Sequence, residues 1–379
     1  MDKTLLVSLV SDQTIPNVQL IQEFKGTVTH YLFITTEGME KKGIRQWTID
    51  ACNLSNNEVI APIIVPQFSF EVIEQKLDQF DFEPFSKVIV NITGGTKVMT
   101  LAAFNFFKEL GADVFYVTGN NDEMIRLAPG RKKKTVKIIS RVSVIQYLHA
   151  YGFKTKETKP SNIPENYTSI FFQLFITGKI QPYREIINKL RNFRKYDVNK
   201  TEVDGLVEFL HFIEFPDESS KKLSKYQVKY LTGEWFEEYI SNKLKQELNL
   251  NSDEIMTGLE ISKQNKKQTL VPNEMDVLFM WNNKLYTIEC KTSVFLSEPS
   301  NTDEKPVTKN ILGETLYKSD SLKQGLGLYV NTYVFILDSI DEYREKLKLH
   351  LERADLYNIT IIDKVQLAQA QSIRSLIRI

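Results

Sequence analysis

The chain has 379 residues, more than the roughly 100–200 of an ordinary domain, which predicts two or three domains. Lys and Arg together number 48, as do Asp and Glu, and this balance excludes a constitutively basic protein that coats nucleic acid. Two cysteines, Cys52 and Cys290, are too few for a disulfide framework or a cysteine-based zinc site. No apolar run approaches the ~18 residues of a membrane span, and the N-terminus lacks signal-peptide architecture. We therefore expect a cytoplasmic protein with no membrane partner.

Short apolar runs alternate with helix-like stretches over the first 150 residues. The runs cover residues 5–10, 31–34, 63–65, 88–92 and 114–117. The clearest helix runs from Thr96 to Leu110 and is followed by Gly111, a residue type common just past a helix end. Continuous apolar strands separated by helices are typical of a parallel sheet covered on both faces. The sequence therefore predicts a doubly wound, Rossmann-like α/β domain over residues 1–150.

The remaining chain changes character twice. Residues 151–225 combine polar, proline-containing breaks with amphipathic stretches, which predicts a helical connector. Residues 226–379 then predict a second α/β domain, in which Thr232 caps a helix that runs to Leu248. Apolar runs at 275–280 and 285–289 flank a four-residue break with two Asn, a pattern typical of a β-hairpin.

This predicted hairpin carries a charged constellation. Pairing Met280 with Leu285 across the turn puts Asp276 opposite Glu289, and strand alternation puts Glu289 and Lys291 on one face. Two carboxylates at that separation suit a hard cation such as Mg²⁺ or Mn²⁺, which activates water, while the ammonium positions that water or neutralises developing charge. The structural alternative is a solvated ion pair of little energetic value. A charge inside an apolar strand is costly, and this favours function.

The helix before the hairpin offers a further acid. At 100° per residue, Phe236, Tyr239, Ile240 and Leu244 define its buried face. Glu237 lies at the edge of that face, whereas Glu234 and Glu238 are expected on the opposite side. Glu237 is therefore the acid expected to reach the site, although an ordinary boundary glutamate has the same pattern.

The order of helix acid, Asp and Glu-x-Lys resembles the PD-(D/E)xK, or restriction-endonuclease-like, superfamily. The segments 233–237, 273–276 and 289–291 resemble more closely the CRISPR ancillary nucleases that follow an N-terminal CARF domain. Met275 stands where the superfamily has Pro. The resemblance implies catalysis by Glu237, Asp276, Glu289 and Lys291, and metal ligands from Asp276, Glu289, the Cys290 backbone carbonyl and Glu237. Lys318 resembles a lysine of related nucleases, and a solvated helix lysine is the alternative.

Two polar loops follow predicted strands of the first domain. Residues 11–17 follow the first strand and residues 91–99 follow the fourth. Such strands commonly neighbour each other at the switch point of a doubly wound sheet, where ligands bind. Gly94 and Gly95 permit close backbone approach, and Thr96 opens a helix whose free N–H groups suit phosphate. A glycine turn capped by Thr is the plain alternative, and no P-loop or G-x-G-x-x-G pattern is present.

The segment 91–97 resembles the CARF signature, 11–17 resembles that family's first polar loop, and 35–39 resembles its third contributor. The resemblance implies a homodimer that binds a cyclic oligoadenylate, cyclic tetra-adenylate or hexa-adenylate, across its two-fold axis. The implied ligand-binding residues are Ser11, Gln13, Thr14, Asn17, Thr35, Thr36, Met39, Asn91, Thr93, Gly94, Gly95, Thr96, Lys97 and Met99.

The resulting hypothesis is a metal-dependent endonuclease of type III CRISPR antiviral defence that cyclic tetra-adenylate activates. Its expected substrates are DNA and/or RNA, with cleavage of single strands and nicking of duplex DNA. Two alternatives stay open, namely a non-catalytic CARF sensor or regulator and a ring nuclease that degrades the messenger. The basic run 131–134 is interpreted as a hairpin tip, with nucleic-acid contact as the alternative.

Overall fold

The computed structural model describes residues 2–119, 122–130, 132–157, 163–216, 221–265, 268–269, 272–298, 307–377 and 379. They form two large mixed sheets with helices, one at each end of the chain, and a helical stretch between them. Arg131 of the basic run lies outside the described residues. In the ranges just given, every helix is too short or too polar to cross a bilayer.

The first sheet has the strand order β3-β2-β1-β4-β5-β6-β7. Its strands are β1 (Thr4–Leu9), β2 (His30–Thr35), β3 (Ile63–Ile64), β4 (Lys87–Asn91), β5 (Asp113–Val117), β6 (Glu123–Ala128) and β7 (Lys134–Lys137). The five predicted strands are parallel, as expected. The antiparallel pair β6–β7 was not predicted, because charged residues such as Glu123 and Arg126 interrupt its apolar pattern. Lys132 and Lys133 lie between β6 and β7 and Lys134 begins β7, so the described part of the basic run lies at the hairpin tip, as interpreted.

Helices cover both faces of this sheet, as the continuous apolar strands predict. They are α1 (Ile15–Phe24), α2 (Glu37–Lys42), α3 (Ile44–Cys52), α4 (Phe70–Asp78), α5 (Lys97–Glu109) and α6 (Val144–Ala150). Strand alternation divides the core in two, so that Leu6 packs with one helical layer and Leu5 with the other. Gly111 follows α5 with φ +80°, the left-handed conformation expected just past a helix end.

The middle of the chain is largely helical. Its elements are β8 (Phe153–Lys156), α7 (Glu165–Ile176), α8 (Arg184–Arg191), β9 (Val198–Asn199), α9 (Leu206–Phe212) and β10 (Lys222–Leu223). The two short strands pair with each other, whereas β8 joins the second large sheet. Because β8 belongs to the middle stretch in sequence and to the second large sheet in space, these two parts of the chain fold against each other.

The second large sheet has the order β12-β11-β13-β14-β17-β18, with β8 paired to β11. This part contains α10 (Lys225–Lys229), α11 (Trp235–Leu248), β11 (Ile255–Asn265), β12 (Gln268–Thr269), β13 (Asn273–Trp281), β14 (Lys284–Lys291), β15 (Phe295–Glu298), β16 (Val307–Asn310), α12 (Ile311–Gly325), β17 (Val330–Ile336), α13 (Arg344–Leu356), β18 (Ile359–Ile362), α14 (Lys364–Gln369) and α15 (Ile373–Leu376). Strand β14 is central, antiparallel to β13 and parallel to β17.

An aromatic core joins the middle stretch to this sheet. Phe171 of α7 meets Trp235 of α11 edge-on with ring centroids 4.7 Å apart, and Phe172 stacks on Tyr239 at 4.0 Å. All four rings belong to one buried cluster. Aromatic pairs in these geometries contribute about 0.5–1.5 kcal/mol each beyond their area burial, so the middle helices hold α11 in place.

A short segment after β7 connects the two large sheets. The Asn283 side chain, in the turn between β13 and β14, accepts a hydrogen bond from the Val142 backbone N–H at 2.9 Å. Arg141 forms an ion pair with Glu254 at 3.0 Å. Glu23 of α1 accepts a bond from the Ser140 backbone N–H at 2.8 Å on the other side. The segment is therefore bonded to both sheets at once.

Candidate functional site

The β13–β14 hairpin has the register that the sequence predicts. Met280 pairs with Leu285, and the ladder continues to Val277 and Ile288. Asn282 and Asn283 form the turn with φ values of 49° and 55°. Positive φ at both central residues is what a two-residue hairpin turn of the favoured twist requires, and Asn tolerates it well.

Three charged side chains meet where this hairpin ends. The Asp276 Oδ2 atom accepts hydrogen bonds from the Cys290 backbone N–H at 2.7 Å and from Lys291 Nζ at 2.8 Å. Lys291 Nζ also donates to Glu289 Oε2 at 3.1 Å. Asp276 is 7% exposed and Glu289 2% exposed, so the group is buried and is not a solvated surface pair.

A second lysine reaches the same carboxylate from α12. Lys318 Nζ lies 2.9 Å from Glu289 Oε1 and 3.1 Å from Oε2, and it also donates to the Glu274 backbone carbonyl. Its side chain is only 30% exposed. The lysine that was expected either at the site or in solvent is thus at the site, where it adds a second positive charge.

Glu237 faces the Asp276 carboxylate from α11. Burial raises the pKa of Glu237 well above its ordinary value, the charge of Asp276 raises it further, and Lys291 opposes both. Phe236 and Tyr239 on the same helix are buried, as the helical wheel predicts. The structure therefore brings the helix acid to the hairpin acids.

The start of this helix differs from the prediction. Thr232 is no N-cap, because its hydroxyl donates to the Val228 carbonyl at 2.8 Å inside a helical turn that continues α10. A single π-helical turn, Tyr230–Glu234, joins α10 to α11, with a kink at Gly233 (φ 169°, ψ −40°). Predicting one regular helix from Thr232 was wrong because pattern reasoning does not register such a kink.

Glu234 lies at the end of this irregular turn, before α11. This residue was expected on the far side of the helix, yet its charge contributes to the raised pKa of Glu237. The pKa of Glu234 is itself raised by burial, with Lys229 and Arg194 opposing and Glu274 adding to it. The wheel argument does not apply to Glu234, because this residue precedes the regular part of α11.

Sequence reasoning assigned no function to Glu274, although the strand pattern contained the signal. Glu274 and Asp276 are two residues apart in β13 and share a face. The Glu274 side chain is exposed, and its charge raises the pKa of both Glu234 and Glu237. Glu274 therefore extends the acidic group toward solvent.

The acids of the site are donors of the type that a hard divalent cation would use, although the lysines now contact them. Burial and the charge of Asp276 raise the pKa of Glu289, while Lys291 and Lys318 oppose this rise. Three acids, Glu237, Asp276 and Glu289, thus face two ammonium groups, and carboxylate oxygens are ligands that Mg²⁺ prefers. Among the described residues, no three His, Cys, Asp or Glu stand together at metal-binding spacing.

Cys290 lies between these charged residues in the strand but faces the other way. Its side chain belongs to the apolar cluster with Trp235 and Phe236. Burial, then the charge of Asp276, raises the pKa of the thiol well above its ordinary value, so the sulfur stays protonated and unreactive. The contribution of Cys290 to the site is its backbone, which donates to Asp276.

The predicted ligand loops meet at the carboxyl edge of the first sheet, because β1 pairs in parallel with both β2 and β4. Two buried amides connect them. Asn91 Nδ2 donates to Asn17 Oδ1 at 2.8 Å and to the Pro16 carbonyl at 3.0 Å. Asn17 Nδ2 donates to the Leu9 carbonyl at 2.9 Å. These side chains fix the shape of the loops.

Threonines complete this internal bonding. Thr93 donates to Asn91 Oδ1 at 2.6 Å and accepts from the Val117 N–H at 2.8 Å. Thr96 caps α5 by accepting from the Met99 N–H at 3.2 Å, and Thr36 caps α2 by accepting from the Met39 N–H at 3.3 Å. Thr14 and Thr35 are fully buried.

The glycine pair lets the loops pack. A Cβ on Gly94 would lie 2.3 Å from the Leu9 carbonyl oxygen, and Gly95 has φ +81°. Lys97, the first residue of α5, is exposed, and Ser11 is partly buried beside Gly94. The loops therefore present backbone, a hydroxyl and one ammonium at the N-terminus of a 13-residue helix.

Gln13, the remaining member of the predicted ligand set, contacts the other end of the chain. Its Oε1 accepts from the Tyr151 hydroxyl at 3.2 Å and from the Leu328 backbone N–H at 3.3 Å. Tyr147 nearby donates to the Leu326 carbonyl at 2.8 Å. A loop of the first sheet thus bonds directly to the segment that leads into β17.

Comparison with known families gives two matches, in the predicted order. Residues 5–147 match the family of the Card1 CARF domain, and residues 224–371 match the Card1-like endonuclease domain. No curated protein sequence matches this chain.

Three solved structures show the fold. Protein VC1899 from Vibrio cholerae is 19% identical with a TM-score of 0.73, and 99% of this chain and 97% of that chain are covered. Can2 from Sulfobacillus thermosulfidooxidans, solved with cyclic tetra-adenylate, is 23% identical with a TM-score of 0.70 and coverages of 96% and 97%. A type III CRISPR defence DNA nuclease activated by cyclic oligoadenylate is 16% identical with a TM-score of 0.53, and the coverages are 89% and 45%.

A Rossmann-like sheet followed by a mixed sheet with Asp276, Glu289 and Lys291 in mutual contact defines a class, the CARF domains joined to a restriction-endonuclease-like domain. The predicted fold class is confirmed. Within that class the chain belongs to the Card1-like CARF endonucleases, and the recognition from sequence is likewise confirmed.

Proposed function

We propose that this protein is a metal-dependent endonuclease of type III CRISPR defence that a cyclic oligoadenylate switches on. The observation that carries the proposal is the buried contact of Asp276, Glu289 and Lys291 inside an endonuclease-family domain. Burying these charged groups costs free energy, and two domains with a purely structural role would not need to bury them. A non-catalytic sensor is correspondingly disfavoured.

The residues divide the chemistry between them. Asp276 and Glu289, with Glu237 and the Cys290 carbonyl, would hold Mg²⁺ or Mn²⁺, which supplies an activated water and polarises the phosphoryl group. Burial by itself lowers the pKa of the Lys291 ammonium. The charges of Asp276 and Glu289 outweigh burial, so the pKa is raised above its ordinary value. An ammonium that keeps its proton is no general base. Lys291 therefore stabilises negative charge on the phosphoryl oxygens, and Lys318 positions Glu289.

The activator is proposed to bind at the glycine-threonine loops. Its phosphates would meet the N-terminus of α5 and the Lys97 ammonium, where helix dipole and positive charge both favour an anion. We propose cyclic tetra-adenylate as the ring, with hexa-adenylate as the alternative. The fold neighbour Can2, solved with cyclic tetra-adenylate, supports the smaller ring.

A homodimer is proposed to complete that site. Exposed apolar side chains lie next to the loops, since Phe68 is 77% exposed and Leu101, in α5, is 61% exposed. Phe68 follows Gln67, whose carbonyl accepts the Thr96 hydroxyl at 2.7 Å. Large exposed apolar groups beside a functional loop are typical of an interaction surface. Pairing these surfaces would bring two sets of loops to one ring.

DNA and/or RNA is the proposed substrate, with single strands and nicked duplex DNA as the forms cleaved. A direct experiment is to incubate the protein with Mg²⁺ or Mn²⁺, labelled single-stranded DNA and RNA, and supercoiled plasmid, with and without each ring. We expect cleavage that needs both metal and ring. Analysis of the ring by chromatography in the same reactions detects any ring-nuclease activity. No cleavage of any substrate under these conditions would overturn the proposal.

A further inference from the structure

Three arginines from the middle of the chain border the endonuclease site. Arg191, the last residue of α8, donates to Thr292 Oγ1 at 2.7 Å, and Thr292 directly follows Lys291. Arg194 donates to Thr232 Oγ1 at 3.3 Å, beside the kink that positions Glu234. Arg184 begins α8 and forms a 2.8 Å ion pair with Asp338. The three guanidinium groups therefore lie close enough to interact with one another, and two of them contact residues that adjoin the site elements in the chain.

These cations repel one another. Burial, and then the charges of Arg194 and Arg184, lower the pKa of Arg191 to about 10, with Asp338 opposing. Asp338 is shared, because it also accepts from the Ser293 hydroxyl at 2.8 Å and the Val294 N–H at 2.9 Å. Arg191 itself donates to neutral oxygens, those of Thr292 and Asn188.

A partly buried group of like charges is costly to maintain, and an anion removes that cost. Guanidinium is also the side-chain group whose planar donor fork matches a phosphate, and it keeps its charge when partly buried. The chain has zero net charge and therefore no overall excess of cationic side chains that could bind phosphates. Binding of a nucleic-acid backbone must then come from a local group of cationic side chains.

We propose that Arg184, Arg191 and Arg194 form a phosphate-binding subsite that holds the nucleic-acid backbone next to the cleaved phosphodiester. The inference rests on the proposed endonuclease function. Arg191 donates to Thr292, the residue directly after β14, so a backbone phosphate held by Arg191 would lie near the end of the strand where Asp276, Glu289 and Lys291 meet. The middle stretch thereby becomes part of the substrate channel.

The test compares charge-removing variants on the same helix. Arg191→Gln and Arg194→Gln remove one cation each, and Lys189→Gln is the matched control, because Lys189 pairs with Glu185 on the exposed surface of α8. With ring and Mn²⁺ present, we expect the first two to raise KM about tenfold, as for loss of one charged hydrogen bond, with kcat changed less. Lys189→Gln should match the wild type. Arg191→Lys, which keeps charge without the fork, should lie between.

Binding without cleavage separates this inference from the function itself. In a Glu289→Gln background, the affinity for single-stranded DNA and RNA is measured against salt concentration. Each arginine variant should reduce the slope of log affinity against log salt by about 0.7, the value for one phosphate contact on a single strand. Equal loss for DNA and RNA shows backbone recognition, and loss for one alone assigns the subsite to that nucleic acid. Unchanged KM and slope in folded variants of an active enzyme would overturn the subsite, whereas an inactive wild type would instead overturn the proposed function.

Discussion

The two functional regions of this molecule are built in opposite ways. In the sensor loops, residues 11–17 and 91–99, the functional side chains are mostly uncharged. Asn17, Asn91 and Thr93 form hydrogen bonds to one another or to the backbone. In the endonuclease site, burial and then the charge of Asp276 raise the pKa of both Glu237 and Glu289, while lysine ammonium groups oppose the rise. The first region is a rigid shape and the second is a concentration of charge.

This difference determines which kind of substitution impairs each site. A rigid loop fails when its backbone is displaced, because its affinity for a ligand comes from shape and pre-organisation. A charged site fails when one charge is removed, because the remaining charges are then buried without compensation. Substitutions of similar size should therefore have different consequences in the two regions.

The largest effect is expected from charge removal in the endonuclease site. Glu289→Gln or Lys291→Ala should lower the cleavage rate by about 10²–10³-fold or more, since each removes a group aimed at developing charge. Ring binding and dimerisation should be unchanged. Single-turnover cleavage with ring and Mn²⁺ measures this, with the exposed Glu352→Gln as control. Full activity in both variants would show that another group of residues is catalytic.

The acids around α11 should show a graded series. Glu237→Ala is expected to reduce cleavage by about 10- to 100-fold, as for residues that support a metal site. Glu234→Ala should have a smaller effect, because Glu234 acts on Glu237 through charge alone, and Glu238→Ala the smallest. The same cleavage assay ranks the three. Equal losses would mean that the helix supports the fold and not the chemistry.

In the sensor, displacement of backbone should matter most. Gly94→Ala forces its Cβ against the Leu9 carbonyl and should cost about 1–3 kcal/mol, in stability or in ring affinity. Gly26→Ala, where nothing lies within 4 Å, is the control. Thermal unfolding and calorimetric titration of the ring measure both costs. A Gly94→Ala protein that melts and binds like the control would place the ring elsewhere.

Charge should matter less in the sensor. Lys97→Glu reverses the charge at the N-terminus of α5 and should weaken ring binding by about tenfold, the equivalent of 1.4 kcal/mol. Ring-free cleavage at high Mn²⁺ should survive, because the endonuclease residues lie on the other sheet. Lys108→Glu near the end of the same helix is the matched control. Undiminished ring affinity in Lys97→Glu would contradict an anion site there.

Sequence patterns over a few neighbouring residues predicted the parts of the fold that such residues determine, namely turns and strands. The β13–β14 register followed from two Asn between apolar runs, and the parallel strands followed from their continuous apolar character. The position of Asp276 beside Glu289 needed only this register. Strand alternation also places Glu274 on the same face of β13 as Asp276, and so next to the site acids.

Other features depend on packing that no local pattern contains. The kink at Gly233 interrupts the helix with a single irregular turn, so that Glu234 lies outside the regular part of α11. Arg191 reaches Thr292 across 101 residues, and Gln13 reaches Leu328 across 315. Contacts at such separations arise from how whole elements dock, so single-residue propensities carry no signal for them.

The bond between Asn283 and Val142 has a mechanical consequence. Strand β14 begins beside that bond at Lys284 and ends at Lys291, a strand of eight residues. At about 3.3 Å per residue, the strand spans roughly 25 Å from its contact with the first domain to the Lys291 ammonium. Because β14 is hydrogen-bonded on both sides, a tilt imposed at the Asn turn would travel along it with little bending. A small rotation of the sensor would then appear as an ångström-scale displacement at Lys291.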